Sequence, residues 1–168
     1  IPLEKLLLAR NGFDENEFNI DISKIEARKK LGFPLEHKII MYAGHLYDWK
    51  GVDVLAEVAV YLQQAMVVFV GGTNYDVKNF IERYEVCHNM LVLGQKSHTE
   101  IPFYLKAADV LVLPNSRKSK NPRAIPYSIY DTSPIKLFEY MASKRPIVAS
   151  DLPSIREILN ESLAVFFK

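Results

Sequence analysis

Two carboxylates eight positions apart, Asp131 and Glu139, flank a Ser133-Pro134 pair in the run DTSPIKLFEYMASKRPIVASD over residues 131–151. Serine is a good N-cap and proline a good first helical residue, so the spacing predicts a helix that starts at Ser133 and carries Ile135 and Lys136 in its first turn. The unpaired N–H groups and the positive dipole end of such a helix face any anion placed before it, and a phosphate fits there. Glu139 lies about one and a half turns along. From there a carboxylate can reach toward the helix start and accept hydrogen bonds from sugar or ribose hydroxyls. On helical spacing alone, a solvated surface carboxylate is the commoner outcome for such a residue. Ile135, Phe138 and Met141 or Ala142 recur at steps of three to four and predict the apolar stripe that seats the helix.

The elements that must hold this helix follow from hydrophobic periodicity. A short apolar run over 6–9 closes at Asn11-Gly12, a turn signal. Asp21 or Ser23 caps a helix bearing Ile25, Ala27 and Leu31, with Gly32 as its stop. Strands are predicted over 38–43, 66–70, 90–93, 110–113, 146–150 and 163–167. Helices are predicted over 52–62, 75–86 (Val77, Phe80, Ile81 and Tyr84 on one side) and 100–107, with a last one starting at Asp151 or Ser154. Alternating strands and amphipathic helices imply right-handed βαβ units and a parallel sheet covered on both faces, a doubly wound, Rossmann-like α/β fold. Ligands of such folds bind at the carboxyl ends of the strands, where Gly44, Gly71, Gly94, Pro114 and the Ser133 helix start would gather. The long loop over 115–130 carries Arg117, Lys118, Lys120 and Arg123. It reads equally as a functional loop and as a solvated one.

Composition narrows the function classes. With 168 residues, 49% hydrophobic and 24% charged, the chain is one ordinary globular domain, and a net charge of +1 argues against a general nucleic-acid binder. The single Cys87 excludes an internal disulfide and a multi-cysteine zinc site, and suits a reducing compartment. His37, His45, His88 and His98 have no metal-ligand spacing, so no metal is expected. The apolar run over 65–70 is too short to span a bilayer, and no signal peptide is visible. An abrupt start at Ile1 and an apolar end at Phe166-Phe167 suggest a piece of a longer protein.

Taken in order, several short runs together resemble the C-terminal, nucleotide-sugar-binding half of a GT-B glycosyltransferase of the family-four or group 1 retaining class. They are Asn11-Gly12-Phe13-Asp14, Tyr42-Ala43-Gly44-His45, Trp49-Lys50-Gly51-Val52-Asp53 and Val70-Gly71-Gly72. Further on come Leu93-Gly94, Ala107-Ala108-Asp109-Val110, Leu113-Pro114 and the 133–142 and 146–151 segments. The resemblance covers nearly the whole chain and implies a donor-binding domain over 1–168. The family's E-x7-E motif falls on Asp131 and Glu139. It implies that Glu139 holds the ribose hydroxyls and that Asp131, one methylene shorter than the family's glutamate, contacts the donor sugar.

Lys50 matches a family lysine that grips the diphosphate, and His45 stands where many members have arginine. The turn at Gly94, Gln95 and Lys96 corresponds to the base-binding segment, and Gly44 and Gly72 are counted with the donor-binding residues. Lys50 and the Ser133 helix amides would stabilise the charge developing on the leaving diphosphate, without a metal cofactor. The implied partners are a nucleotide-sugar donor, an acceptor that is a glycan, lipid or small molecule, and an N-terminal domain of the same enzyme. A cytoplasmic location is expected, with peripheral membrane association left open. Two other readings stay open: a sugar-nucleotide epimerase of the same fold, and a non-catalytic nucleotide-binding relative.

Overall fold

In the computed structural model, residues 2–5, 12–84, 87–118, 123, 129 and 135–168 are described. The short helix α1 (Glu15–Phe18) and α2 (Lys24–Leu31) precede the sheet. Ser23 and Glu26 cap α2 reciprocally, so Ser23 and not Asp21 is the cap, and Gly32 ends the helix at φ 70° as predicted. Then follow β1 (Lys38–Ala43), α3 (Val52–Ala59), β2 (Ala65–Val70), α4 (Asn74–Tyr84), β3 (Met90–Val92), α5 (Ile101–Ala107) and β4 (Val110–Leu113). The remaining elements are α6 (Ile135–Ser143), β5 (Ile147–Ser150), α7 (Pro153–Arg156) and β6 (Val165–Phe167). The strands form one sheet in the order β3-β2-β1-β4-β5-β6, every pair parallel, as the alternation of strands and helices predicts.

The two faces separate with the period of two that strands impose. Ile39, Met41 and Ala43 of β1, with Val68 and Val70 of β2, pack toward Leu105, Leu137, Tyr140 and Ile155 of the α2/α5/α6/α7 layer. Tyr42 and the alternate β2 residues Val67 and Phe69 pack toward Leu55, Ala59 and Phe80 of α3 and α4. The chain order reverses between β1 and β4, which opens a crevice at their carboxyl ends, the usual place for a ligand in this architecture.

Helix α6 is seated differently from the predicted stripe. Ile135 and Met141 are exposed, while Leu137 and Tyr140 are fully buried and Glu139 is only 5% exposed. Of the predicted stripe, Phe138 is half-buried against Phe13 and Ala142 packs on the core, so the buried face is rotated from that stripe toward Leu137 and Tyr140. Tyr140 sets the phase, because its buried hydroxyl accepts a hydrogen bond from Ala43 N at 2.7 Å and locks the helix to the end of β1. Ile81 of α4 and Ile25 of α2, both predicted to face inward, are likewise exposed. The last helix is one short turn, since Pro153 fixes its start and the chain turns away after Arg156.

The loop after β1 docks on the loop after β4. Gly51 stands at φ 70°, and a Cβ there would lie 1.6 Å from the Pro114 carbonyl oxygen. Ser116 N also donates to the Trp49 carbonyl at 3.0 Å. Gly51→Ala is therefore expected to lower stability by about 1–3 kcal/mol through backbone strain. A chemical melt checks this, and an unchanged midpoint would mean that the loop shifts off Pro114 without cost.

Candidate donor-binding site

Three glycines build the floor of the crevice by bringing backbone against backbone. Gly44 N donates to the Val70 carbonyl at 2.8 Å, and Gly71 N to the Gly94 carbonyl at 2.7 Å. Gly71 has φ 123°, and a Cβ on it would lie 2.1 Å from Gly44 O, so no side chain fits there. Tyr42, buried beneath, donates from its hydroxyl to the His45 carbonyl at 2.7 Å and fixes the direction in which the loop leaves β1. Burial, and after it the neighbouring Tyr140, push the Tyr42 hydroxyl pKa well up, so it stays a neutral donor.

Over this floor opens a pocket of about 270 Å³. Gly44, His45, Gly72, Gln95, Lys96 and Lys136 line it, joined by Thr73, His98 and Ile101. Six residues named from the sequence thus meet in one cavity, although they come from the ends of three strands and from α6. Gly94 sits below, its Cβ direction 3.6 Å from Val77 and 3.9 Å from Gly72 O. Thr73 and His98 were not anticipated. Thr73 follows the double glycine and shares hydrogen bonds with Asp76 in the first turn of α4, a capping signal that was legible in the sequence. His98 is positioned from outside the pocket, by a 2.9 Å contact to Glu17 and an edge-on ring contact with Phe18, and no local pattern announces it. Asp131, Ser133 and Pro134 lie outside the described residues, as does most of the 115–130 loop.

Charge is concentrated at the α6 side. Lys136 lines the pocket, with its Cε 3.2 Å from the place a Gly44 Cβ would take. Lys50 approaches from the loop, half-buried, with its ammonium 4.0 Å over the Trp49 ring. Burial, and next the Lys136 charge, lower the Lys50 pKa to about 8. The two charges repel, and an anion bound between them would relieve that repulsion; of the two, only Lys136 lines the pocket.

Glu139 completes the group. Its Oε2 lies 3.9 Å from Lys136 Nζ, beyond hydrogen-bond reach, and is buried with no hydrogen-bond partner among the described residues. Buried carboxylate oxygens are ordinarily satisfied, and one left open is a ready acceptor for hydroxyls; Glu139 does not itself line the pocket but stands beside Lys136, which does. Ile135, on the same helix, is exposed to solvent. Among the described residues, no three His, Cys, Asp or Glu side chains converge as a metal site would require, and no helix is long and apolar enough to cross a membrane.

The model of the family described as "Glycosyl transferases group 1" matches residues 23–167. An uncharacterized glycosyltransferase of Methanocaldococcus jannaschii is 26% identical over 96% of this chain and 40% of its own length. A putative teichuronic acid biosynthesis glycosyltransferase of Bacillus subtilis is 27% identical over 94% of this chain and 39% of its own. The chain thus spans about two-fifths of the curated relatives it matches. Among solved structures, sucrose-phosphate synthase from Thermosynechococcus elongatus superposes with a TM-score of 0.69 at 21% identity, over 92% of this chain and 37% of that one. Anabaena HepE in complex with UDP-glucose gives 0.68 at 22%, over 94% and 42%. Both share the fold of this sheet and its flanking helices.

Proposed function

The chain belongs to the group 1 glycosyltransferases, and from that premise we propose that it is the donor-binding domain of a transferase acting on a nucleoside-diphosphate sugar. The observation that carries this reading is the buried Glu139 Oε2, without a hydrogen-bond partner among the described residues, beside Lys136, whose charge in turn acts on Lys50, at the carboxyl edge of the sheet. Cations suit a diphosphate, an open acceptor suits ribose hydroxyls, and one short helix presents both. Gln95 and Lys96, which line the same pocket, offer polar groups for a base. The HepE complex with UDP-glucose makes UDP the first nucleotide to test.

In this reading the bond between the anomeric carbon and the terminal phosphate oxygen breaks and negative charge builds on the leaving diphosphate. Lys50 and Lys136 would stabilise that charge where it develops, and no metal would be required. Asp131, ahead of α6, would contact the donor sugar, and the sugar would pass to the acceptor with retention. The acceptor would bind mainly to a second domain of the full enzyme, so the 168-residue chain is expected to bind donor without turning it over. Calorimetry with UDP, GDP and ADP tests the reading. Measurable binding with preference for one base supports it, and no heat from any of the three at millimolar concentration overturns it in favour of a non-catalytic relative.

Lys50 adds a pH signature. The charged amine attracts diphosphate, and it loses its proton as pH rises through about 8. UDP affinity should fall above that value, by up to about tenfold per pH unit. Lys50→Met should flatten the profile. A wild-type affinity that holds constant between about pH 7 and about pH 9.5 would remove Lys50 from the diphosphate site.

A further inference from the structure

The loop from Gly44 to Gly51 has a second pocket on its other side. This cavity, of about 310 Å³, lies between the loop and α4 and reaches the low end of small-ligand pockets. His45 and Thr73 line the pocket described above, whereas Leu46 and Asp76 line this one. The two cavities therefore share a wall.

The wall is an aromatic ladder. The rings of His45 and Tyr47 stack at 5.0 Å with 5° between their planes, and Tyr47 continues onto Trp49 at 6.1 Å and 28°. Tyr47 stays 42% exposed although His45 and Trp49 both stack on it, and this open part of the ring lines the cavity. Opposite stands a polar stripe on α4, Asp76, Asn79 and Arg83, brought to one face by steps of three and four. Asp76 Oδ2 is taken by Thr73 N and Oγ1, which leaves Oδ1 to accept. The Asn79 amide is half-buried and makes no hydrogen bond among the described residues. The Arg83 guanidinium is exposed and stands 3.8 Å from Asp53. Leu46 and Phe80 close the floor.

We propose that this pocket binds a neutral pyranose ring, as a saccharide subsite separate from the nucleotide pocket. A flat aromatic surface matches the apolar C–H face of a sugar ring. The carboxylate, amide and guanidinium groups around it match the ring's hydroxyls, each of which both donates and accepts. Asp48 and Asp76 against the single Arg83 disfavour an anionic ligand such as a second phosphate. The shared wall places a bound sugar next to the donor pocket, where an acceptor has to arrive.

The test is an amide chemical-shift titration of the 168-residue chain with maltotriose, cellotriose and methyl α-mannoside, run with and without saturating UDP. At least one saccharide is expected to shift the signals of 46–49 and 76–83 under both conditions. Tyr47→Ala should weaken that binding by about three- to tenfold. Asn79→Ala should weaken it too while leaving UDP affinity unchanged, and a separate UDP titration reports on the donor reading independently. Shifts confined to the UDP pocket, an effect indifferent to both variants, or no shift with any of the three sugars would overturn the proposal.

Discussion

Glu139→Ala is expected to reduce UDP affinity by about ten- to hundredfold, the scale of losing hydrogen bonds to a charged group. The expectation rests on the 5% exposure of this residue and on the absence of any hydrogen bond to Oε2 among the described residues. Lys136 at 3.9 Å compensates the carboxylate only in part, so the ligand-free protein bears a cost that bound ribose hydroxyls would relieve. Ligand-free Glu139→Gln, which keeps the side-chain shape, should therefore melt at or above the wild-type temperature while binding UDP more weakly. Gain in one measurement and loss in the other mark a binding residue. A variant that loses stability and keeps UDP affinity would make Glu139 a structural group. Asp131→Ala should have the smaller effect on UDP, because its assigned contact is to the sugar.

Arg28→Ala should cost about 3–5 kcal/mol, the loss that follows when one partner of a buried ion pair is removed. Its melting temperature should fall by about 6–20 °C. Arg28 is 2% exposed. Its guanidinium donates to the carbonyls of Ala107 at 2.9 Å, Leu35 at 2.8 Å and His37 at 2.9 Å, and to Asp109 Oδ2 at 2.6 Å. Asp109 accepts in addition from Lys24 at 2.6 Å and from Ile39 N at 2.7 Å, at the start of β1. One ion pair thus joins α2, β1 and the turn into β4, the two strands whose far ends frame the candidate crevice. Lysine should not rescue the arginine, since a single ammonium cannot reproduce four donations in fixed directions.

Burial by itself would raise the Asp109 pKa, but the hydrogen bonds from Lys24, Ile39 N and Arg28 outweigh it and hold the carboxyl at about 2. A carboxylate depressed in the folded state stabilises the fold above its unfolded value, near 3.9, and that contribution disappears as pH falls through about 2. Melts recorded down this range should show a steeper acid loss for wild type than for Asp109→Asn. Parallel curves would mean that the carboxylate's charge is not what the pair contributes.

The order and type of the elements were legible in the sequence because they depend on local rules. Ser23, Gly32 and Gly51 end or start helices by backbone conformation and capping, and alternating residues of β1 and β2 sort themselves between two layers. The family also showed itself locally, since its short runs keep their order and spacing whatever the packing does. The pocket residues from Gly44 to Lys136 could be named for the same reason. The state of Glu139 could not be read that way. Its burial depends on the phase of α6, set by a hydrogen bond between Tyr140 and Ala43, residues 97 positions apart, and helical periodicity fixes spacing without fixing which face turns inward. Arg28 and Asp109 likewise look like surface charges until the tertiary fold brings them together across 81 positions. The sequence by itself determined the sheet, the glycine floor and the family. Only the tertiary structure decided which charges are buried, because burial is a property of what packs against a residue and not of its neighbours along the chain.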